Sequence, residues 1–190
     1  MISATDISER TREGLLSETD ELRTEVRRLQ DRMDITELFH RFAAGMDTQD
    51  WSVLESVFSD DAVFDHTAEH WGKGIVEDIQ VGRPEVIRMM RKGVSRHFVS
   101  HHVITNHRMR IEGDRARAVT YLTSVHLDDP EKPKTHEDHG AFYLSELVRT
   151  KDGWKIRRIK HTGLWRTNME PPGPVRKAEV EEMRTWLDRV

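Results

Sequence analysis

Eleven histidines and 34 carboxylate side chains stand in a chain of 190 residues that contains no cysteine. Thiolate nucleophiles, thiolate metal sites and disulfides are excluded together, and proton-transfer chemistry falls to imidazole and carboxylate. Imidazole titrates near pH ~6.5, so it accepts a proton at neutral pH with little correction. A carboxylate beside it does two jobs: it fixes the tautomer that leaves the other ring nitrogen basic, and it stabilises the imidazolium once formed. The densest run of histidines is HFVSHHVITNH, which holds His97, His101, His102 and His107. Its spacing is not that of a helix-borne His-x-x-x-His pair with a matching carboxylate, and alternation along a strand splits it across two faces. No metal site is expected from it. By the same alternation only one of His101 and His102 enters an interior, and a buried structural histidine is the reading that competes with catalysis.

The elements that must position these groups are legible in outline. Residues 7 to 33 are charged or helix-favouring, with Leu15, Leu22, Val26, Leu29 and Met33 forming a narrow apolar seam that suits either a partner helix or the domain's own surface. From Ile35 the apolar face broadens through Leu38, Phe39, Phe42 and Ala43, and the pattern predicts a core helix ending near Gly45 and Asp47. A short helix over Val53 to Phe58 is expected next, then a turn at Ser59-Asp60-Asp61 and a strand from Ala62 to His66. A third helix follows Gly82-Arg83-Pro84, with the proline in its first turn. Residues 67 to 81 carry no clear period. From residue 98 to 167 the period changes to that of strands, with turns at Glu112-Gly113-Asp114 and Lys151-Asp152-Gly153. After Pro171-Pro172-Gly173-Pro174 a short last helix is expected, with Val180, Met183, Trp186 and Leu187 along one side.

Composition bounds the function. Lys plus Arg total 30 against 34 acidic residues, a net charge of −4, so nothing favours nucleic acid as a partner. No run of about 18 apolar residues occurs and the first residues lack a charged-then-apolar signal pattern, so no membrane partner is expected and a cytoplasmic protein is the simplest reading.

The segments FHRFAAGMDTQDWSVLESVFSDDAVFD, VGRPEVIRMM, SHHVITNHRMRIEGDRARA and AFYLSELVRTKDGWKIRRIKHTG, in that order, resemble the SnoaL-like branch of the nuclear transport factor 2-like superfamily. The resemblance implies an α+β fold: a cone-shaped, curved antiparallel (mixed) sheet wrapped by three helices, here with an added N-terminal helix and a short C-terminal one. The organisation expected is an N-terminal arm at 1–33, the cone domain at 34–170 and a tail at 171–190. Enzymes of this branch include scytalone and bile-acid dehydratases, hexachlorocyclohexane dehydrochlorinase, isomerases and polyketide cyclases, while the small subunits of ring-hydroxylating dioxygenases share the fold without catalysis. Fold alone therefore leaves function open.

Carried over residue by residue, the resemblance makes Asp47 and His102 the catalytic pair, and gives Arg166 the role of an electrophilic partner for a substrate oxygen. Phe42 stands where some relatives have a tyrosine or lysine that assists the leaving group; His40, His161, Tyr121 or Tyr143 would have to substitute. Phe42, Phe64, Trp71, Tyr121, Tyr143, His161 and Trp165 are the expected substrate-binding residues. The expected activity is a lyase that needs no cofactor or metal, removing water from a small hydroxylated steroid or polyketide, with isomerisation or cyclisation through the same pair, or a non-catalytic binding role, as alternatives. A homo-oligomer, dimer or trimer, is expected from the exposed seam.

Overall fold

The computed structural model describes residues 4–70, 74–168 and 177–189. Helix α1 (Ala4–Asp47) runs without a break through both the expected arm and the expected core helix, so no linker falls at residue 33. Its second half is embedded: Ile35, Leu38, Phe39 and Phe42 are buried, with Ile35 and Phe39 fully so, whereas residues 14 to 30 are exposed. Gly45 lets helix α2 (Trp51–Val57) approach, since a Cβ there would lie 3.0 Å from the Leu54 side chain. Asp50 caps α2 by accepting the backbone N–H groups of Ser52 and Val53.

Strand β1 (Phe58–Asp65) begins directly after α2. The Ser59-Asp60-Asp61 segment is thus not a separate turn; it lies within the strand, where the pairing register shifts between Phe58 and Val63. Such a bulge lets two polar residues face outward without ending the strand. The stretch without a period resolves into a small hairpin, β2 (Ala68–His70) with β3 (Gly74–Val76), and an edge strand β4 (Ile79–Val81). Helix α3 (Arg83–Val94) follows, with Pro84 in its first turn and Val86, Ile87, Met90 and Val94 buried. The long meander is β5 (Val99–Glu112), β6 (Arg115–Leu127), β7 (Glu137–Thr150) and β8 (Gly153–Thr167).

The six-stranded sheet has the order β4-β1-β8-β7-β6-β5 and is not closed. Only the β1–β8 pair is parallel, which makes the sheet mixed. Register shifts at Thr105/Arg108, Gly140/Ala141 and Glu146/Leu147 bend it, since each irregularity adds twist to its strand. Asn106 takes the shift in β5 with φ 54°, a left-handed conformation that asparagine tolerates better than most residues. The curved sheet, with α1 and α3 across its concave side, gives the cone-like α+β architecture expected. Helix α4 (Lys177–Thr185) and the turn after it cover part of the convex side, where Trp186 packs on Val119, Phe142 and Leu144. Among the described residues no helix is long and apolar enough to cross a membrane.

One polar contact anchors the middle of α1. Buried Asp31 accepts two hydrogen bonds from Arg149, at 2.7 and 2.6 Å, and one from Trp154 Nε1 at 3.2 Å. The guanidinium of Arg149 holds the Asp31 carboxyl below its ordinary value, and also lies over the Trp154 ring. Replacing Asp31 with Ala would leave a desolvated indole N–H and a partly buried cation without their acceptor. The expected loss is about 1 to 3 kcal/mol in the free energy of unfolding, read as a lower urea midpoint at unchanged slope.

Candidate active site

Asp47 is the last residue of α1, and nothing local favours it there. A carboxylate at a helix C-terminus opposes the helix dipole, so its position answers to a tertiary contact. That contact is His102. Both carboxylate oxygens accept the His102 backbone N–H at 3.0 Å, and Oδ1 meets His102 Nδ1 at 2.6 Å. Because an ionised carboxylate only accepts, Nδ1 carries the ring hydrogen and Nε2 keeps its lone pair. No described residue forms a hydrogen bond to Nε2, and the ring lines a cavity of about 250 Å³ between the concave sheet face, α1 and α3. Its neighbour His101 is exposed, as strand alternation requires.

A second His/Asp pair stands at the same cavity. His97 Nδ1 meets Asp128 Oδ1 at 2.5 Å, but Nε2 of His97 accepts from Arg96 Nε at 3.1 Å. Its lone pair is occupied, so of the two pairs only Asp47–His102 presents an open base. Between them lies His126, stacked on His97 with ring centroids 4.4 Å apart and edge-on to His102 at 5.2 Å. Burial, reinforced by the charges of His102, His97 and Arg96, lowers the pKa of His126 to about 4.

The other end of the cavity carries three more imidazoles around Tyr143 and Arg166. His161 sits 4.7 Å from His66, 4.8 Å from His139 and 5.6 Å from Tyr143, between ring centroids. Burial is the first cause of depression in each: His66 to about 4, His139 to about 3 with Arg166 adding to it, and His161 well below its ordinary value. These rings are neutral at pH 7. Burial pushes the Tyr143 phenol in the opposite direction, so it too stays protonated. The Nε of Arg166 and the Nε2 of His139 are buried and have no hydrogen-bond partner. A buried N–H without a partner costs about 1 to 3 kcal/mol, so an acceptor arriving in this cavity gains from the Arg166 Nε–H.

Of the residues singled out in the sequence, Phe42, Phe64, His102, Tyr143, His161 and Arg166 all line this cavity, and Asp47 touches it through His102. Tyr121 and Trp165 do not. Leu122, Ser124 and His126 are the inward residues of β6, which turns Tyr121 to the convex side. Trp165 is displaced by the register shift at Gly140/Ala141 and covers Gly140 from outside, where a Cβ would meet Trp165 Nε1 at 2.1 Å. His40, another possible acid, is exposed on α1. Trp71 lies outside the described residues. His66, His126, His139 and Glu137 line the cavity and were not singled out; the signal for His126 was period 2 along β6, taken in the other phase, while Glu137 and His139 share the phase of Tyr143 on β7 and His66 directly follows β1. No group of three or more His, Asp or Glu side chains able to hold a metal occurs among the described residues.

The family model described as a SnoaL-like domain matches residues 27–160. The Mycobacterium tuberculosis protein Rv2910c is 26% identical over 138 residues, covering 71% of this chain and 87% of that one. Among solved structures, the Kfla4162 protein from Kribbella flavida is 26% identical with a TM-score of 0.63, covering 73% of this chain and 94% of its own. A protein from Novosphingobium aromaticivorans provisionally assigned as a scytalone dehydratase has a TM-score of 0.65 at 15% identity, covering 80% and 97%. The hexachlorocyclohexane dehydrochlorinase LinA-type3 from Novosphingobium barchaimii LL02 has 0.59 at 21%, covering 80% and 96%. At such identities the last two speak for the fold.

Proposed function

The chain belongs to the SnoaL-like domain family, and from that premise we propose that it is a lyase of the dehydratase type acting on a small hydroxylated carbonyl compound. The observation that carries this is the open Nε2 of His102, whose lone pair is kept free because the Asp47 carboxylate, 2.6 Å from Nδ1, holds the ring hydrogen on that nitrogen. Two of the fold's solved neighbours are named for eliminations, a dehydratase and a dehydrochlorinase, which agrees with such chemistry.

His102 Nε2 takes a proton from the carbon next to the substrate carbonyl, and the electron pair of that C–H bond moves toward the carbonyl oxygen. Arg166, with its Nε unpartnered, donates to that oxygen as negative charge develops. The pair then forms the carbon–carbon double bond and the β-hydroxyl departs. Phe42 cannot assist it, whereas Tyr143, buried beside Phe42 at 5.9 Å and kept protonated, can donate a hydrogen bond to the leaving oxygen. The departing hydroxide takes its proton from the His102 imidazolium and leaves as water, returning the site to its starting state. A cavity of about 250 Å³ lies just below the ~300 to 1,000 Å³ of drug-sized sites, which favours a compact ring system over a steroid.

A non-catalytic binding role has less support, because a binding module has no use for a carboxylate spent on orienting an imidazole whose basic nitrogen is left open. The test is mass spectrometry of the purified chain with panels of mono- and bicyclic β-hydroxy ketones and of hydroxy-steroids, run in deuterated water. Loss of water from a compact substrate is the expected result. Deuterium uptake without water loss would replace elimination by isomerisation, and no change in any panel would remove the enzyme reading.

A further inference from the structure

The seam along residues 15 to 33 of α1 faces away from every other described element. Leu15, Leu22, Val26, Leu29 and Met33 are exposed, Leu22 by 60% and Met33 by 72%. At about 100° per residue, their mean direction lies roughly 180° from that of Asp31, Ile35, Leu38 and Phe42, the residues by which the same helix is embedded in its own domain. The domain therefore cannot cover the seam, and a second body on this face meets no obstruction from it.

The residue pattern says what that body is. Leu15, Leu22 and Leu29 are seven apart, and Thr19, Val26 and Met33 follow them by four, so the leucines fall at heptad position d and two β-branched residues fall at a. Leu at d with β-branched residues at a is the preference of parallel two-stranded coiled coils. The flanking charges agree. In a parallel pair, position g of one helix faces position e of the next heptad on the other. Glu18 then meets Arg23 of a second copy, Arg32 meets Glu37, and Glu25 meets Gln30, each twice by symmetry, with no like-charged pair. An antiparallel pair with full overlap gains Glu18 against Arg32 at its ends but sets Arg23 against Arg23 and Glu25 against Glu25 at its centre. The contact of Arg23 with Asp20 within one helix, 3.1 Å at an exposed position, is too weak to hold Arg23 back from a partner.

We propose that two copies of this chain associate through residues 15 to 33 of α1 as a parallel two-stranded coiled coil, about 27 Å long, with the two cone domains on opposite outer flanks. Each cavity then remains complete within its own chain, and the association is independent of the chemistry there.

The absence of cysteine makes the arrangement directly readable. In the full chain, Thr19→Cys and Met33→Cys each place one thiol at an a position at either end of the seam. Under mild oxidation each variant is expected to form a disulfide with itself. Light scattering of the unaltered chain at micromolar concentration is expected to give the mass of two chains, falling to one in the double variant Leu22→Asp/Leu29→Asp with circular dichroism and thermal midpoint unchanged. A monomer throughout, a three-chain assembly, a mass unaffected by the double variant, or cross-linking only in a mixture of the two cysteine variants would overturn the proposal.

Discussion

Replacing His102 with Gln is expected to lower turnover of the dehydrated substrate by about 10² to 10⁴, with little change in stability. The size follows from the role assigned: a positioned general base contributes roughly 3 to 5 kcal/mol to the barrier, and the amide of Gln is no base. Asp47→Asn should cost less than His102→Gln if the carboxylate only orients the ring, and as much if the tautomer is its main contribution. The asparagine amide still fits the end of α1, but its NH₂ group is a donor. Turned toward His102 Nδ1, it forces the ring hydrogen to Nε2 and removes the lone pair from the cavity. The backbone N–H of residue 102, which donates to both Asp47 oxygens at 3.0 Å, pulls the amide the other way, keeping its oxygen toward β5. The two variants together therefore read out what the carboxylate does. Rates for both variants within about tenfold of the unaltered chain, with urea midpoints intact, would contradict a base worth several kcal/mol at His102.

That the pair was legible in the sequence, while half of its surroundings was not, has a physical reason. The helical period displays a carboxylate at the end of α1, and strand alternation sends only one of His101 and His102 inward; the choice of His102 and its pairing with Asp47 rest on the resemblance to the SnoaL-like family. Tyr121 was placed on the wrong face because the alternating run in β6 offered two phases, and only pairing with β7 selects the one that turns Leu122, Ser124 and His126 inward. Trp165 and Arg166 exchange faces through one register shift opposite Gly140, which a period-2 pattern does not record. The Ser59-Asp60-Asp61 segment reads as a turn because its residue types favour turns, yet the parallel pairing of β1 with β8, long-range in sequence, holds it within a strand. Likewise the seam and the core face of α1 read as two helices because the apolar stripe changes width and side at residue 35, although the backbone continues. The change of side, not a break, is what frees the seam for another body.

Acid is expected to begin destabilising this chain above the pH at which its carboxylates titrate. Four imidazoles, those of His66, His126, His139 and His161, are held neutral by burial, with pKa values of about 4, about 4, about 3 and well below 6.5. In the unfolded chain each titrates near ~6.5. The sign follows from linkage: between pH ~6.5 and about 4 the unfolded state binds protons that the folded state refuses, so the free energy of unfolding falls as pH falls. The stabilisation is present in full above pH ~6.5 and is lost progressively down to the folded-state values. Each fully desolvated ring contributes at most about 1.4 kcal/mol per pH unit, less for His66, His126 and His139, which are only partly buried. Asp31 and Asp61, whose carboxyls are lowered by Arg149 and by Ser59 respectively, add their own loss only below pH ~3.9, outside this window. Urea midpoints measured at pH 7.5, 6.5, 5.5 and 4.5 should therefore fall steadily over the last three, and His139→Gln, which removes one refused proton, should make the fall shallower by up to one proton's worth of slope. A midpoint flat from pH 7.5 to 4.5 would mean that these rings accept protons within the folded cavity. The cavity would then carry added positive charge at mildly acidic pH, and the neutral surroundings on which proton abstraction by His102 depends would be absent there.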